Sequence, residues 1–157
     1  MSLFALFSWI ATAGAGLYLL SIWLIEYDKD FNAATATRLP PPVLAGHVLF
    51  AVGGLLVWAD YVVQDNDHMA LIAVAAILLA ASLGVTMAVR WVGVRRANRA
   101  RAQLAQAAAQ RGVVAVMDGP PPDGPPERNF PLPVVIAHGA LAALTITLVL
   151  VAVLFGS

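Results

Sequence analysis

The chain has 157 residues, of which 61% are hydrophobic and 11% are charged, and its formal net charge is zero. A soluble domain carries charge on roughly a quarter of its residues, so this composition excludes an ordinary soluble domain. The chain has no cysteine, which excludes disulfides, thiolate metal sites, iron–sulfur clusters and covalently attached c-type haem. Total charge gives no sign of a nucleic-acid partner, and we expect none.

Four long apolar runs predict an all-α integral membrane protein with one domain, residues 1–157. The runs cover about residues 3–25, 40–63, 68–94 and 130–155. Each exceeds the ~20 residues that a helix needs to cross ~30 Å of hydrocarbon. Helices are expected because backbone groups in lipid must be hydrogen-bonded within their own segment. The first run is uncharged from Met1 to Ile25 and too long for a signal peptide, so we predict a retained span.

Loop charges predict the orientation of these spans. The loop between the second and third spans holds Asp65 and Asp67 but no Lys or Arg. The loop between the third and fourth spans holds six arginines, namely Arg95, Arg96, Arg99, Arg101, Arg111 and Arg128. By the positive-inside rule this basic loop is cytoplasmic and both termini lie outside. We therefore predict a multi-pass protein of a bacterial plasma membrane, with tryptophans at the membrane interface: Trp9, Trp23, Trp58 and Trp91.

The basic loop, residues 95–129, divides into two parts. Residues 95–111 are rich in Ala, Gln and Arg without a helix breaker, which predicts a helical extension of the third span. Its arginines either form a solvated flank or contact an acidic partner or anionic lipids, the lipid contacts being predicted at Arg95, Arg96, Arg99 and Arg101. Residues 118–127 read Asp-Gly-Pro-Pro-Pro-Asp-Gly-Pro-Pro-Glu, which predicts a semi-rigid linker that is neither helix nor strand.

The second and fourth spans begin with similar sequences. Residues 39–47 and 130–138 align at an offset of 91 with two prolines, a valine and a histidine in common. The first and third spans align at an offset of 68, which places Gly16 on Gly84 and Trp23 on Trp91. We predict two helical hairpins of the same orientation, related by a pseudo-twofold axis along the membrane normal. Chance similarity is the alternative, because Pro is common in a first helical turn.

Two histidines are the candidate functional residues. His47 and His138 each follow the last proline by five residues, or ~7–8 Å along a helix. Ionisable residues within spans are rare and usually face the bundle interior. One hypothesis is axial ligation of a b-type haem between the second and fourth spans, with Arg38 and Arg128 beside the propionates.

Other roles for the two histidines remain open. Each could hydrogen-bond across helices to a backbone carbonyl or to a hydroxyl, or form a proton or quinone site. The hydroxyl groups within reach on the neighbouring spans are those of Ser82, Thr86, Thr145 and Thr147. A third histidine, His68, lies beside Asp67 at a span edge and is expected to be interfacial.

No catalytic motif is present in the sequence, so we do not expect an independent enzyme. A nucleophile–base pair, a phosphate-binding glycine loop and a metalloprotease motif are all missing. A transporter is disfavoured because no Asp, Glu or Lys lies well within a span. The many small residues, such as 13–16, 53–54 and 70–84, allow close helix packing and favour a partner membrane protein.

Four short spans, outside termini, an Arg-biased cytoplasmic loop and no catalytic motif resemble a known group of proteins. These are the small accessory subunits that accompany the cytochrome bcc–aa3 respiratory supercomplex in mycobacteria and related actinobacteria. The resemblance covers the whole layout, but its distinctive strings are only residues 39–47 and 130–138. It implies a cofactor-free, non-catalytic subunit that binds larger integral membrane subunits through its lipid-facing helices. The main expectation is such an accessory subunit, and the alternative is a small bis-histidine b-type cytochrome.

Overall fold

The computed structural model describes residues 1–29, 37–111 and 125–155. In these ranges the protein is all-helical, as predicted, and four of its helices are long and apolar enough to cross a membrane. The long helices are α1 (Ser2–Lys29), α2 (Pro41–Gln64), α3 (Asp67–Gln110) and α4 (Leu132–Phe155), and a short 3₁₀ helix spans Pro126–Asn129. Four apolar helices of this kind suggest a multi-pass membrane protein.

Local sequence fixes where the second and third helices begin and end. Pro40 is extended, with φ −61° and ψ 125°, and Pro41 opens α2, where a missing N–H costs no hydrogen bond. Asp65 ends α2 in the left-handed region, with φ 54°. The Asn66 side chain then accepts a 3.0 Å hydrogen bond from the His68 N–H and caps α3. A two-residue turn therefore joins α2 to α3.

The third helix is much longer than the other three. Its 44 residues extend about 66 Å, roughly twice the hydrocarbon thickness of a bilayer. Its apolar half ends near Val94, and residues 95–110 form a basic, largely exposed extension. Part of the predicted Pro-rich linker has a different structure, because Pro126 and Glu127 belong to the 3₁₀ helix. Residues 118–124 of that linker lie outside the described residues.

The four helices form an antiparallel bundle in which each helix packs against two neighbours. The most extensive contacts are those of α2 with α3 and of α1 with α4, whereas α1–α2 and α3–α4 contacts are smaller. Helices α2 and α4 therefore occupy one diagonal of the bundle, and α1 and α3 occupy the other. We call the end at which α2 and α4 begin the Glu127 end, and the opposite end the Trp58 end.

The four tryptophans face the inside of the bundle, a burial that their positions near the span ends did not predict. Trp9, Trp23, Trp58 and Trp91 expose 2%, 5%, 0% and 7% of their surface. Each indole N–H is satisfied within the protein, as in the 3.2 Å hydrogen bond from Trp58 to the carbonyl of Ser2. Large aliphatic side chains face outward instead, because the surroundings of a spanning helix are themselves apolar.

A buried carboxylate organises the Glu127 end. The Glu127 side chain is 0% exposed, and its Oε1 accepts a 2.6 Å hydrogen bond from the backbone N–H of Arg38. Its Oε2 accepts from the Thr37 hydroxyl at 3.1 Å. The Trp91 indole N–H donates to the carbonyl oxygen of Glu127 at 3.1 Å. The 3₁₀ helix is therefore tied to α3 and to the segment that precedes α2.

Candidate functional site: two histidines in the bundle core

The structure brings the two predicted histidines together across one diagonal of the bundle. His47 lies on α2 and His138 on α4, and both side chains are half-buried. Their ring centres are 6.2 Å apart and the ring planes make an angle of 69°. Both helices begin with a proline turn at the Glu127 end, so the histidines occupy equivalent depths in the bundle.

Each ring is anchored to a backbone carbonyl of a neighbouring helix. His47 Nδ1 lies 2.8 Å from the carbonyl oxygen of Ala80 on α3. His138 Nδ1 lies 3.0 Å from the carbonyl oxygen of Thr12 on α1. A carbonyl oxygen can only accept, so each Nδ1 carries the proton and donates it. In the neutral ring, Nε2 then retains its lone pair.

Both Nε2 atoms are available for a further ligand. Within the described ranges neither Nε2 of His47 nor that of His138 has a hydrogen bond. No fully buried polar side-chain atom of these ranges lacks a partner, so both Nε2 atoms adjoin accessible space. An accessible imidazole nitrogen with a fixed lone pair is the form in which histidine binds a metal.

Two glycines allow the rings to lie against the helix backbones. A Cβ atom at Gly84, one turn after Ala80, would lie 3.0 Å from Cε1 of His47. A Cβ atom at Gly16, one turn after Thr12, would lie 3.0 Å from Cε1 of His138. These separations are shorter than ordinary carbon–carbon contacts of about 3.5–4.0 Å. Any larger residue at either position would therefore push the ring away from its carbonyl.

Sequence reasoning identified the histidines but missed the residues that hold them. The repeat pairs Gly16 with Gly84 only as small residues, and it does not predict that the carbonyls of Thr12 and Ala80 accept from the rings. The signal was nevertheless present, because the offset of 68 that relates the two glycines also relates Thr12 to Ala80.

The four hydroxyl groups proposed above as possible partners of the histidines form hydrogen bonds with other groups. Ser82, Thr86 and Thr147 each donate to the carbonyl four residues earlier in their own helix. The Thr145 hydroxyl lies 2.8 Å from that of Ser8 and 3.0 Å from that of Thr12. These three hydroxyls join α1 to α4 next to the carbonyl that anchors His138.

His47 and His138, as a pair of ligands, fit a haem better than a bare metal ion. The described residues include no group of three or more His, Cys, Asp or Glu that could hold a metal. A zinc site needs three or four protein ligands, whereas a haem iron needs two axial ligands because the macrocycle supplies the rest. Two imidazole nitrogens at about 2.0 Å from one ion would place the ring centres about 6 Å apart, close to the observed spacing.

Direct edge-to-face contact of two aromatic rings gives a similar separation of their centres, about 4.5–7 Å. The ring spacing alone therefore does not select metal ligation. Plain ring contact leaves both Nε2 lone pairs unused, whereas ligation of one metal would occupy both of them. The candidate site accordingly rests on the anchoring of Nδ1 together with the spacing.

The candidate propionate partners lie at the Glu127 end. Arg38 is exposed and its carbonyl oxygen accepts a 3.4 Å hydrogen bond from Nη1 of Arg90. Arg128 is also exposed, but it lines a groove with Arg95 and Arg99. The third histidine, His68, is exposed in the first turn of α3.

Comparisons with models of known families, with curated proteins and with solved structures find no match to this chain.

Proposed function

We propose that this chain is a small membrane-bound b-type cytochrome in which His47 and His138 are the two axial ligands of one haem. The observation that carries the proposal is the pair of anchored rings. Each Nδ1 donates to a carbonyl, at 2.8 Å for His47 and 3.0 Å for His138, and each Nε2 keeps its lone pair. Histidines that bind metals are typically oriented by this kind of Nδ1 hydrogen bond.

A haem held by two histidines carries one electron at a time without binding a substrate at the iron. The chain's own residues would set the conditions for that transfer. The carbonyls of Ala80 and Thr12 hold the rings and increase the basicity of Nε2. Gly16 and Gly84 let both half-buried rings lie against the backbones of α1 and α3. Facing helices of a bundle are a common origin for such ligands.

We propose Arg38 and Arg90 as the cations that face the propionates. Both lie at the Glu127 end, and they are linked through the carbonyl of Arg38. Arg90 is six residues beyond Gly84 on α3, or about 9 Å along the helix axis. A charged side chain in this position can extend its guanidinium to the end of the apolar region.

We further propose that the chain is a repeat of two hairpins with pseudo-twofold symmetry. The histidine anchors support this, as do Trp23 and Trp91. The Trp23 N–H donates to Thr37, just before α2, and the Trp91 N–H donates to Glu127, just before α4. The proposed orientation has the Glu127 end and the basic extension of α3 in the cytoplasm, on the basis of their arginines.

A visible spectrum of the purified protein tests the cytochrome proposal. The full chain would be produced with a supply of haem and purified in mild detergent, and haem would be counted as the pyridine haemochrome. We expect one haem per chain and a Soret band that shifts on reduction. A His47→Ala/His138→Ala double variant should lack the band, whereas His68→Ala, an exposed histidine of the same chain, should retain it. A fully haem-free protein under these conditions would contradict the proposal.

A second candidate function is that of a non-catalytic accessory subunit of a bacterial respiratory complex. The observation that favours it is a set of glycines that do not pack closely against other helices of the bundle. A Cβ atom at Gly53, Gly93 or Gly139 would meet nothing within 4 Å, so these positions are open to close approach by a partner helix. Purification through a tag in mild detergent should then recover a stoichiometric membrane partner, and a chain that runs alone would count against this role.

A further inference from the structure

A groove lined by three arginines lies at the junction between the apolar and basic halves of α3. Its volume is about 260 Å³, and its lining residues are Trp91, Arg95, Asn98, Arg99, Ala102 and Arg128. Three of these described lining residues are arginines and none carries a carboxylate, so together they carry a positive charge. This feature does not depend on the proposed haem site, since Arg95 lies eleven residues beyond Gly84, or about 16 Å along the helix.

The arginines converge because two separate segments are fixed against each other. Arg95 and Arg99 are four residues apart and share one face of α3. Arg128 follows Glu127, whose buried carboxylate and carbonyl are bound to Arg38 and Trp91. The guanidinium of Arg95 stacks over the Trp91 ring at 5.4 Å from its centre, which restrains it further.

In the described part of the chain, these arginines have no acidic partner. The carboxylate of Glu127, which precedes Arg128, is turned toward Thr37 and the backbone of Arg38. A guanidinium presents planar N–H donors that match a phosphate bidentately. Three such groups around one groove thus form a site for a phosphate ester.

The position of the groove indicates a lipid as the source of that phosphate. Trp91 is an apolar residue of the groove lining, and its neighbour Val92 on α3 is apolar and 37% exposed. An acyl chain can lie along this surface while its headgroup reaches the arginines. We propose that Arg95, Arg99 and Arg128 bind the phosphate of an anionic phospholipid.

The proposal separates these three arginines from the others on the same helix. Arg96 and Arg101 are exposed and do not line the groove. A diffuse attraction to an anionic surface would use all of them alike, at about 1 kcal/mol for each basic residue. A defined site instead requires that the loss of a groove arginine weakens binding more than the loss of Arg96.

Native mass spectrometry of the full chain in neutral detergent tests this distinction. The protein would be titrated with short-chain phosphatidylglycerol and, separately, with phosphatidylcholine and with inorganic phosphate. We expect saturable binding of one phosphatidylglycerol, weakened about fivefold by Arg95→Gln, Arg99→Gln or Arg128→Gln, and changed less than about twofold by Arg96→Gln. Helical circular dichroism and monomeric elution would verify that each variant is folded.

Three results would overturn the proposal. Equal weakening by Arg96→Gln and by the groove variants would show a diffuse basic surface. Equal affinity for phosphatidylcholine would show that the negative charge is not recognised. Binding of inorganic phosphate as tight as that of phosphatidylglycerol, with competition between them, would assign the groove to a free phosphate instead of a lipid.

Discussion

The two histidine contacts are alike in geometry but differ in their surroundings. His47 on α2 binds a carbonyl of α3, and His138 on α4 binds a carbonyl of α1, at 2.8 and 3.0 Å. In both contacts a glycine one turn later lies under the ring, where an added Cβ atom would be 3.0 Å from Cε1. Thr12, which anchors His138, also belongs to a hydroxyl cluster, whereas Ala80, which anchors His47, offers no polar side chain.

The hydroxyl cluster supports only one of the two histidine contacts, whereas the placement of the ring is common to both. Hydroxyl pairing between Ser8, Thr12 and Thr145 strengthens only the α1–α4 contact. The placement of the rings is the same in both contacts although the packing beside them is not. A shared placement with different support is what we expect where both rings serve one ligand.

Removal of either ring alone should reduce haem binding more than any other single change. His47→Ala and His138→Ala should each abolish nearly all low-spin haem, because one axial ligand leaves the iron without its second imidazole. The losses should be similar in the two variants despite their different surroundings. Absorption spectra of both purified variants, normalised to protein, would measure this. Loss of the low-spin haem band in one variant, with a normal haem spectrum in the other, would contradict ligation by both histidines.

Adding a methyl group beneath each ring should have the next largest effect. Gly16→Ala and Gly84→Ala place a Cβ atom against Cε1, which costs about 1–3 kcal/mol in a packed core. Displacement of an oriented ligand typically weakens metal binding about 10–100-fold. Haem retention during gel filtration would measure the loss in each variant.

Gly139→Ala is the matched control, since Gly139 adjoins His138 in sequence but has open space at its Cβ position. It should bind haem normally. Comparable haem loss in Gly139→Ala and Gly16→Ala would show that any added methyl group disturbs the bundle, and would remove the special role of the two ring contacts.

Loss of the buried carboxylate should destabilise the bundle without changing the ligands. Glu127→Ala would remove the acceptor of the Arg38 N–H and leave the Thr37 hydroxyl with only the Leu39 carbonyl at 3.4 Å, a cost of about 1–3 kcal/mol in total. We expect a lower thermal unfolding midpoint by circular dichroism and an unchanged haem absorption spectrum at room temperature. A changed haem spectrum with an unchanged unfolding midpoint would show that Glu127 acts on the ligands and not on the stability of the bundle.

The smallest expected effect tests the difference between the two contacts directly. Thr145→Val keeps the side-chain shape but removes the hydroxyl shared by Ser8 and Thr12. Hydrogen bonds between helices in membranes contribute about 0.6 kcal/mol on average, so a small loss of stability is expected. Thr147→Val is the control, because Thr147 is exposed and bonds only to its own helix. Greater destabilisation by the control would show that the hydroxyl cluster does not support α1–α4 packing.

Much of the fold could be predicted from the sequence because span length and hydropathy are local properties. The histidines could also be placed at one depth, since each follows a proline turn by five residues. Which face of a helix points inward was harder to predict. In lipid both faces are apolar, so the amphipathic pattern that orients helices in soluble proteins is weak.

The tryptophans and Glu127 show the same difficulty. Indole rings occur both at membrane interfaces and inside bundles, and only the packing here reveals that all four are buried. Glu127 stands in a Pro-rich stretch that predicted a semi-rigid linker, yet its carboxylate is fully buried. Its partners lie about ninety residues earlier in the chain, a separation that no local sequence pattern encodes.

Electron paramagnetic resonance of the oxidised protein reports directly on whether His47 and His138 bind one haem. Two imidazoles on one ferric haem give a low-spin signal, and its anisotropy increases as the ring planes approach a right angle. With ring planes 69° apart, we predict a strongly anisotropic low-spin signal that is lost in His47→Ala and in His138→Ala. A high-spin signal from the haem-loaded wild-type chain, or a low-spin signal that survives in both variants, would contradict ligation by this pair.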